Sequence, residues 1–372
     1  METKKKILLV SYAFFPEISP RSFRATELAE ELARQGHDVT VYTISRDYDY
    51  TEYLTENKIR LHMWSKARFP EVPDSKRKLT KLVSRALKRL LLMLFEYPGI
   101  EDMFKVKRVL KNESKYDLLI SFAVPFPVHW GVARARKRKY SIAKTWIADC
   151  GDPYMGCKTD SFKKLFYFKY IEKWWSRKAD FISIPVENAR SAYYPEFHSK
   201  IKVIPQGFKL TPIAGSDKQV KNAVPTFAYT GMFIPGIRDP GELLDYLTTL
   251  DRPFKFIIYT NDKSLLQAYM DSLNDKLIIH NYIPRDDLLK RLTRMDFLVN
   301  FDNNTGVQTP SKLIDYKLTG RPVLNITAKL DKVILNEFFD KNYSHAYKID
   351  DLAQYDISNV ARQFTSLNSK TS

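Results

Sequence analysis

The sequence predicts an α/β protein of two consecutive doubly wound domains, and three observations carry that prediction. Residues 5–43 form a strand–helix–strand unit, the opening of a parallel sheet. The same alternation of short apolar runs and helically spaced segments restarts at Thr226. Between the two, residues 209–223 lose their hydrophobic pattern and gain Gly, Ser, Lys and Asp, the composition of a linker. With 372 residues there is chain enough for two domains of ordinary size, and an apolar fraction of 44% is ordinary for a globular protein.

The elements follow in order. Lys5-Lys-Ile-Leu-Leu-Val-Ser11 is a basic edge followed by an apolar run, as a buried first strand requires. A loop carrying Pro16 and Pro20 runs through Ser19-Pro-Arg-Ser-Phe-Arg24. The helix after it spans Phe23 to Gln35, with Ala25, Leu28, Ala29 and Leu32 on one face and Gly36 as its stop. Val39–Thr43 is the second strand. Strands are expected again at Tyr116–Ser121 and Lys144–Asp149. A helix containing His129 follows Pro125 and Pro127, and a helical, aromatic and basic segment spans Ser161 to Ala179. In the second domain, strand Thr226–Gly231 leads through a loop to a helix carrying Leu243, Leu244 and Leu247. Strands Phe254–Thr260, Leu277–His280 and Phe297–Phe301 follow, with a helix over Asp286–Leu292. The expected boundaries are 1–208, a linker at 209–223, and 224–372, with a last helix free to cross back to the first domain.

The formal charge of +17 comes from local blocks. Lys76–Arg89 holds seven basic residues and Arg134–Lys144 six, neither with an acidic one. Such surfaces attract nucleic acid, anionic lipid or phosphorylated substrates. The chain has no zinc-finger spacing, helix-turn-helix or RNA-binding signature, which favours lipid and argues against nucleic acid. From Leu79 to Phe95, Leu79, Leu82, Val83, Ala86, Leu87, Leu90, Leu91 and Leu94 recur at three- and four-residue spacing. Lys78, Lys81, Arg85, Lys88 and Arg89 fall mostly on the other face. This pattern fits a helix in a lipid interface and equally a helix packed on its own domain. The two cysteines, Cys150 and Cys157, exclude a disulfide framework and point to a reducing cytoplasm. No run of about 18 apolar residues is present, so no membrane-crossing helix is expected. Asp47-Tyr-Asp49 reads as a solvated polar loop with too few ligands for a divalent ion. The absence of G-x-G-x-x-G argues against an NAD-linked oxidoreductase.

The richest segment is Thr309-Pro-Ser-Lys-Leu-Ile-Asp-Tyr-Lys-Leu-Thr-Gly-Arg-Pro-Val-Leu324: a loop, a helix opened by Ser311, a stop at Gly320 and a buried strand from Pro322. A helix N-terminus presents unpaired N–H groups and a positive dipole end, which suits a phosphate. Asp315 lies about one turn further on, placed to accept from a ribose hydroxyl. Asp149 and Asp152 stand at the carboxyl end of a strand, where open α/β sheets collect their chemistry; Asp152 also suits a turn cap before Pro153.

These residues resemble the nucleotide-sugar site of the GT-B glycosyltransferases, most closely glycosyltransferase family 4, whose "P-S-K-L-x-[DE]-Y-x-x-x-G-[RK]-P-V" run holds the donor diphosphate and ribose. Lys178-Ala-Asp-Phe-Ile resembles the family's "[RK]-A-D-x-[IV]", with Glu172 in its acidic place, and Val203-Ile-Pro-Gln-Gly207 resembles "V-I-P-N-G". The resemblance implies two Rossmann-like domains facing a cleft. It also implies transfer of a sugar, with retention, from a UDP- or GDP-linked donor to a lipid-linked or other saccharide acceptor in surface-polysaccharide synthesis. The enzyme would be a hexosyltransferase working without metal or other cofactor, at the inner face of the cell membrane.

By the same resemblance Gly231 lies where the donor phosphate approaches. Met232 and Ile237 stand where the family has Arg and Lys, so Arg238, one position late, is the candidate phosphate cation. Asn281, Tyr282 and Ile283 correspond to the segment that meets the nucleobase. Pro310, Ser311 and Asp315 complete the donor site, and Lys312 either pairs with the diphosphate or is a first-turn surface charge. Arg21 and Arg24 take the place of the family's Gly-rich loop as a source of positive charge. Asp149, Asp152 and Arg238 are the candidate catalytic groups. The first of the family's two glutamates falls at Val307, which cannot accept a hydrogen bond. Two other readings remain open: a non-catalytic peripheral membrane protein with a decayed donor site, and a GT-B sugar-nucleotide epimerase.

Overall fold

The structure is a computed structural model that describes residues 3–66, 69, 78–137, 141–157, 164–210, 213, 221–302, 311–327, 329–348 and 352–367, and only the backbone of residues 78–81 and 311. The chain divides into two compact units. One comprises Met1–Lys209 and Ala353–Ser372, the other Leu210–Leu352.

The first unit is a parallel sheet in the order β3-β2-β1-β4-β5-β6-β7. Its strands are β1 (Lys6–Val10), β2 (Asp38–Ile44), β3 (Arg60–Trp64), β4 (Tyr116–Ala123), β5 (Ala143–Cys150), β6 (Phe181–Ile184) and β7 (Ile201–Val203). The helices are α1 (Pro20–Arg34), α2 (Thr51–Asn57), α3 (Lys78–Phe95), α4 (Ile100–Val109), α5 (Pro127–Ala135) and α6 (Phe168–Lys178). A strand covered on both faces reads as a near-continuous apolar run, as β1 does over Ile7–Val10 and β4 over Leu118–Ile120. Ile7, Leu9, Val39, Val41, Leu118 and Ile120 face Ala25, Leu28, Ala29 and Leu32 of α1. Leu8, Val10, Leu119, Trp146 and Ile182 face Val106, Trp130, Val132 and Trp175 on α4, α5 and α6.

The last helix of the chain belongs to this unit. On it Ile357, Val360, Ala361 and Phe364 pack into the same layer as α1, and Ile357 N donates to Phe208 O at 2.9 Å. Gly207 is glycine for a steric reason: a Cβ there would stand 2.4 Å from Ile357 Cδ1 and 3.2 Å from Ile357 Cα.

Two sequence expectations are corrected here. Ser19–Arg24 is not a loop. Ser19 caps α1 by accepting from Ser22 N at 3.2 Å, and Pro20 occupies the first turn, so Arg21 and Arg24 are helical. The helix expected from Ser161 begins at Phe168, while residues 158–163 lie outside the described set. In addition, Asp49 accepts from Thr51 N at 2.9 Å and Thr51 Oγ1 at 2.6 Å at the start of α2. Among the described residues no helix is long and apolar enough to cross a membrane.

The second unit is a parallel sheet in the order β10-β9-β8-β11-β12. Its elements are β8 (Thr226–Thr230), α7 (Gly241–Thr248), β9 (Lys255–Tyr259), α8 (Met270–Leu273), β10 (Leu277–His280), α9 (Arg285–Leu292), β11 (Phe297–Phe301), α10 (Ser311–Leu318), β12 (Val323–Ile326) and α11 (Lys332–Phe339). Phe227, Tyr229, Phe256, Ile258 and Phe297 pack on α7 and α11, and Ala228, Leu298 and Val323 on α9 and α10. The helix after this unit, Ile357–Ser366, is α12.

Candidate functional site

In the second unit the sequence candidates gather where β8, β9 and β10 end and α10 begins, the edge at which open parallel sheets take ligands. Gly231 leaves β8 at φ +126°, backbone that side chains rarely adopt, and its N–H donates to Tyr259 O at 3.0 Å. The loop then closes a turn, with Arg238 N donating to Ile234 O at 2.9 Å, and this carries Arg238 back toward the strand end. The Arg238 Nε is buried and makes no hydrogen bond.

Lys312, in the first turn of α10, is mostly buried. Its Nζ lies 4.4 Å from the Tyr229 ring centroid and 3.4 Å from Tyr229 Oη. Burial, and next the charge of Arg238, pull the Lys312 ammonium down to about 7. Among the described residues neither cation has an ion-pair partner. Two cations held together at a helix N-terminus without a carboxylate form a site that an anion would complete.

Tyr229 was not a sequence candidate. It stacks on Phe233 at 4.5 Å and meets Phe301 edge-on at 5.1 Å, and its hydroxyl donates to Met232 O at 3.2 Å. Burial raises its pKa well above the usual tyrosine range, so it stays a neutral floor under Lys312. Tyr316 anchors the same corner, its hydroxyl accepting from Thr230 N at 3.0 Å. An aromatic on a buried strand reads as core, so neither residue carried a signal in the sequence.

Asp315 is half-buried beside Arg285, whose Nε and Nη2 donate to Oδ1 at 3.0 and 2.6 Å. Burial raises the Asp315 pKa and Arg285 opposes the rise. Both bonds fall on one oxygen, leaving Oδ2 for another donor. Arg285 also went unread in the sequence. Tyr282 is exposed, with its N–H donating to Asn261 Oδ1 at 3.0 Å; Asn281 is exposed, and Ile283 is half-buried against the α9–α10 side of the sheet. Ser311 begins α10. Pro310 and Val307 lie outside the described residues.

In the first unit the candidates separate. Asp149 is only 1% exposed and fully engaged: Oδ2 accepts from Arg24 Nε at 2.5 Å, and Oδ1 from Arg24 Nη2 and Ser183 Oγ, both at 2.6 Å. Arg24 also donates to Pro205 O at 2.9 Å and Ile204 O at 3.1 Å. Arg24 ties α1 to β5 and to the chain just past β7, and Asp149 is its counter-ion in this structure. Arg21 and Asp152 remain at the surface, 3.6 Å apart. His129 is fully buried, 2.8 Å from Ser121 Oγ, and burial lowers it to about 4, which keeps it neutral. Trp146 Nε1 donates to the same Ser121 oxygen at 2.9 Å.

The family model for Glycosyltransferase Family 4 matches residues 23–211, just over half of the chain. The chain belongs to glycosyltransferase family 4. The family 4 match falls on the first unit, and the protein is a glycosyltransferase whose two parallel-sheet units are the Rossmann-like domains of the GT-B fold. Solved structures agree on that fold. The lipopolysaccharide outer core galactosyltransferase WaaB is 13% identical, with TM-score 0.57, covering 97% of this chain and 98% of its own. A glycosyltransferase from Rickettsia africae is 12% identical, with TM-score 0.59 and 97% of each chain covered. Anabaena Alr3699/HepE, solved with UDP and glucose, is 11% identical, with TM-score 0.57, covering 97% and 98%. No curated protein matches the sequence.

Proposed function

We propose that this family 4 enzyme moves a hexose from a nucleotide-sugar donor to a saccharide acceptor, with retention, and that the donor diphosphate sits between Arg238, Lys312 and the N-terminus of α10. The observation that carries this reading is the pair of cations without a carboxylate at the strand ends. As the bond to the sugar breaks, negative charge builds on the leaving diphosphate. Fixed donors already aimed there stabilise it without reorganising, so they lower the barrier more than they tighten the ground state. Lys312 is neutral in about half of the free molecules near pH 7 and becomes fully charged once an anion arrives. Asp315 Oδ2 would accept from a ribose hydroxyl, with Arg285 holding the carboxylate in place. The Asn281–Ile283 segment would meet the nucleobase.

Side chains thus take the neutralising role, and the reading assigns no metal or other cofactor. UDP is favoured as the carrier because HepE, of the same fold, was solved with UDP and with UDP-glucose. The acceptor is taken to be lipid-linked, a precursor of a bacterial surface polysaccharide, met at the cytoplasmic face of the membrane. The basic charge of the chain supports that placement.

Calorimetric titration with UDP-glucose, UDP-galactose, GDP-mannose, UDP and GDP tests the donor half. At least one UDP- or GDP-linked donor should bind in the micromolar range and slowly release nucleotide in the presence of a glycolipid extract. A protein that binds none of the panel would end the donor reading in favour of a decayed site.

A further inference from the structure

We propose that α3 lies in the plane of an anionic membrane with its apolar side inserted among the acyl chains, an anchor built into the first unit. The inference deepens the membrane reading above by naming the element and its mode of contact, and it rests on that reading only for the identity of the partner surface.

The sequence left the stripe on α3 free to face core or lipid, and the structure turns it outward. Leu82 is 66% exposed, Val83 62% and Leu90 49%, with Leu87 also exposed, whereas Ser84 is buried and Lys88 and Leu91 are half-buried. At about 100° per residue, Leu82, Ala86, Leu90, Val83 and Leu87 fill an arc of about 140°, and Ser84, Lys88 and Leu91 lie on the opposite side. Over its first three turns the helix therefore offers Leu82, Val83, Leu87 and Leu90 to the surroundings, while Met93 and Leu94, further along the same arc, are half-buried. An ordinary amphipathic surface helix does the reverse.

Two more exposed apolar side chains stand apart from this arc: Phe95, 53% exposed, falls on the Ser84 and Lys88 side of the helix, and Phe166 is 71% exposed. Tyr167, ring to ring with Phe166 at 5.8 Å, donates its hydroxyl to Leu94 O, so both exposed phenylalanines stand at the carboxyl end of α3. The exposed row Leu82, Val83, Leu87 and Leu90 is the kind of apolar surface that marks a contact site.

Charge selects the partner. Exposed Arg85 and Arg89 border the apolar arc, with Lys88 nearby, and the whole chain carries +17. A second copy docked on the same face would bring these rows together and repel. An anionic headgroup layer would neutralise them while the leucines enter the boundary beneath, the arrangement of an in-plane interfacial helix. Aromatic rings at one end suit the headgroup level.

The test uses the full chain with vesicles of phosphatidylglycerol and phosphatidylcholine, and of phosphatidylcholine alone, read by co-sedimentation. The wild type should bind the anionic vesicles and ignore the neutral ones. The set Leu82→Gln, Val83→Gln, Leu87→Gln, Leu90→Gln should fold and lose at least tenfold in partitioning. The set Arg85→Glu, Arg89→Glu should lose at least fivefold per residue at low salt, since each basic side chain near an anionic surface contributes about that factor. Insertion is overturned by a wild type that ignores anionic vesicles. It is equally overturned by a glutamine set that binds like wild type, or by one that fails to fold because the stripe packs inward. A wild-type dimer that the glutamine set makes monomeric, with neither binding vesicles, replaces the membrane by a second copy. UDP titrated into the same samples keeps the readings apart. Vesicle binding without UDP binding refutes only the donor site, and UDP binding without vesicle binding refutes only the anchor.

Discussion

If the Lys312 ammonium closes the diphosphate site, donor affinity must fall as pH rises through the physiological range. Lys312 titrates at about 7 in the free protein, held down by burial and by Arg238. The donor prefers the charged form, so the apparent dissociation constant scales inversely with the protonated fraction. That fraction is about one half at pH 7 and about one in a hundred at pH 9. The loss is roughly fiftyfold, or about 2.3 kcal/mol, provided the neutral form binds weakly. Burial keeps the neighbouring Tyr229 protonated throughout, so it does not mask the slope. The diphosphate diester of a UDP-sugar has no proton to lose in this window, which makes the intact donor a better ligand for the test than UDP. Calorimetry at pH 6.5, 7.5, 8.5 and 9, each in two buffers of different ionisation enthalpy, should show the falling affinity and about half a proton taken up near pH 7. Lys312→Arg should flatten the profile and remove the proton uptake, because guanidinium does not titrate here. A wild-type affinity that stays constant from pH 7 to 9, with no buffer dependence of the enthalpy, would refute the assignment of Lys312 to the anion.

Three further outcomes follow from the same geometry. Asp315→Ala should weaken donor binding by about 1–3 kcal/mol through the loss of a ribose hydrogen bond; unchanged affinity for the donor that binds best would remove Asp315 from the site. Asp149→Asn should destabilise the first unit by about 3–5 kcal/mol, because it leaves Arg24 buried without its counter-charge, and a thermal midpoint equal to wild type would show the pair to be dispensable. Glu172, 1% exposed and with neither oxygen in a hydrogen bond of good geometry, is raised by burial to about 7, the Tyr194 hydroxyl and the Met155 N–H offsetting only part of that rise. Its folded pKa lies above the unfolded one, so its favourable contribution is full in acid and is lost as pH climbs through 7; Glu172→Gln should stabilise the protein at pH 8 by on the order of 2 kcal/mol and have little effect at pH 5, as measured by urea unfolding.

The sheets were legible because buried parallel strands must be apolar at every position, and Ile7–Val10, Leu118–Ile120 and Phe297–Val299 are unbroken runs of that kind. The start of α1 was misjudged although its signal was present. Ser19-Pro20 is an N-cap followed by a first-turn proline, a signal that two prolines four residues apart also give for a loop. The candidate donor side was legible in so far as position on a helix sets it: Lys312 and Asp315 stand on α10, as the spacing predicts. It was illegible where a residue acts through a tertiary neighbour. Tyr229 looks like any aromatic on a buried strand until Lys312, 83 positions away, is found over its ring. The outward turn of α3 belongs to the same class, since a stripe specifies that a face must be covered and says nothing of what covers it.

The arginines make the physical reason explicit. By residue type and location, Arg21, Arg24 and Arg238 are interchangeable candidates for holding a phosphate. Their partners separate them. Arg24 meets a carboxylate 125 positions away and two backbone carbonyls, which satisfies a buried guanidinium without any ligand. Arg21 shares solvent with Asp152 at 3.6 Å, an arrangement that water screens and that contributes little. Arg238 has a buried Nε with nothing to donate to and a second cation beside it. Among the described residues no carboxylate pairs with either cation, which leaves the place open to an anion. The lack of a paired carboxylate among the described residues, more than the count of positive residues, is what sets Arg238 apart from Arg24 and Arg21. It can be recognised only after the fold has decided which carboxylates are within reach.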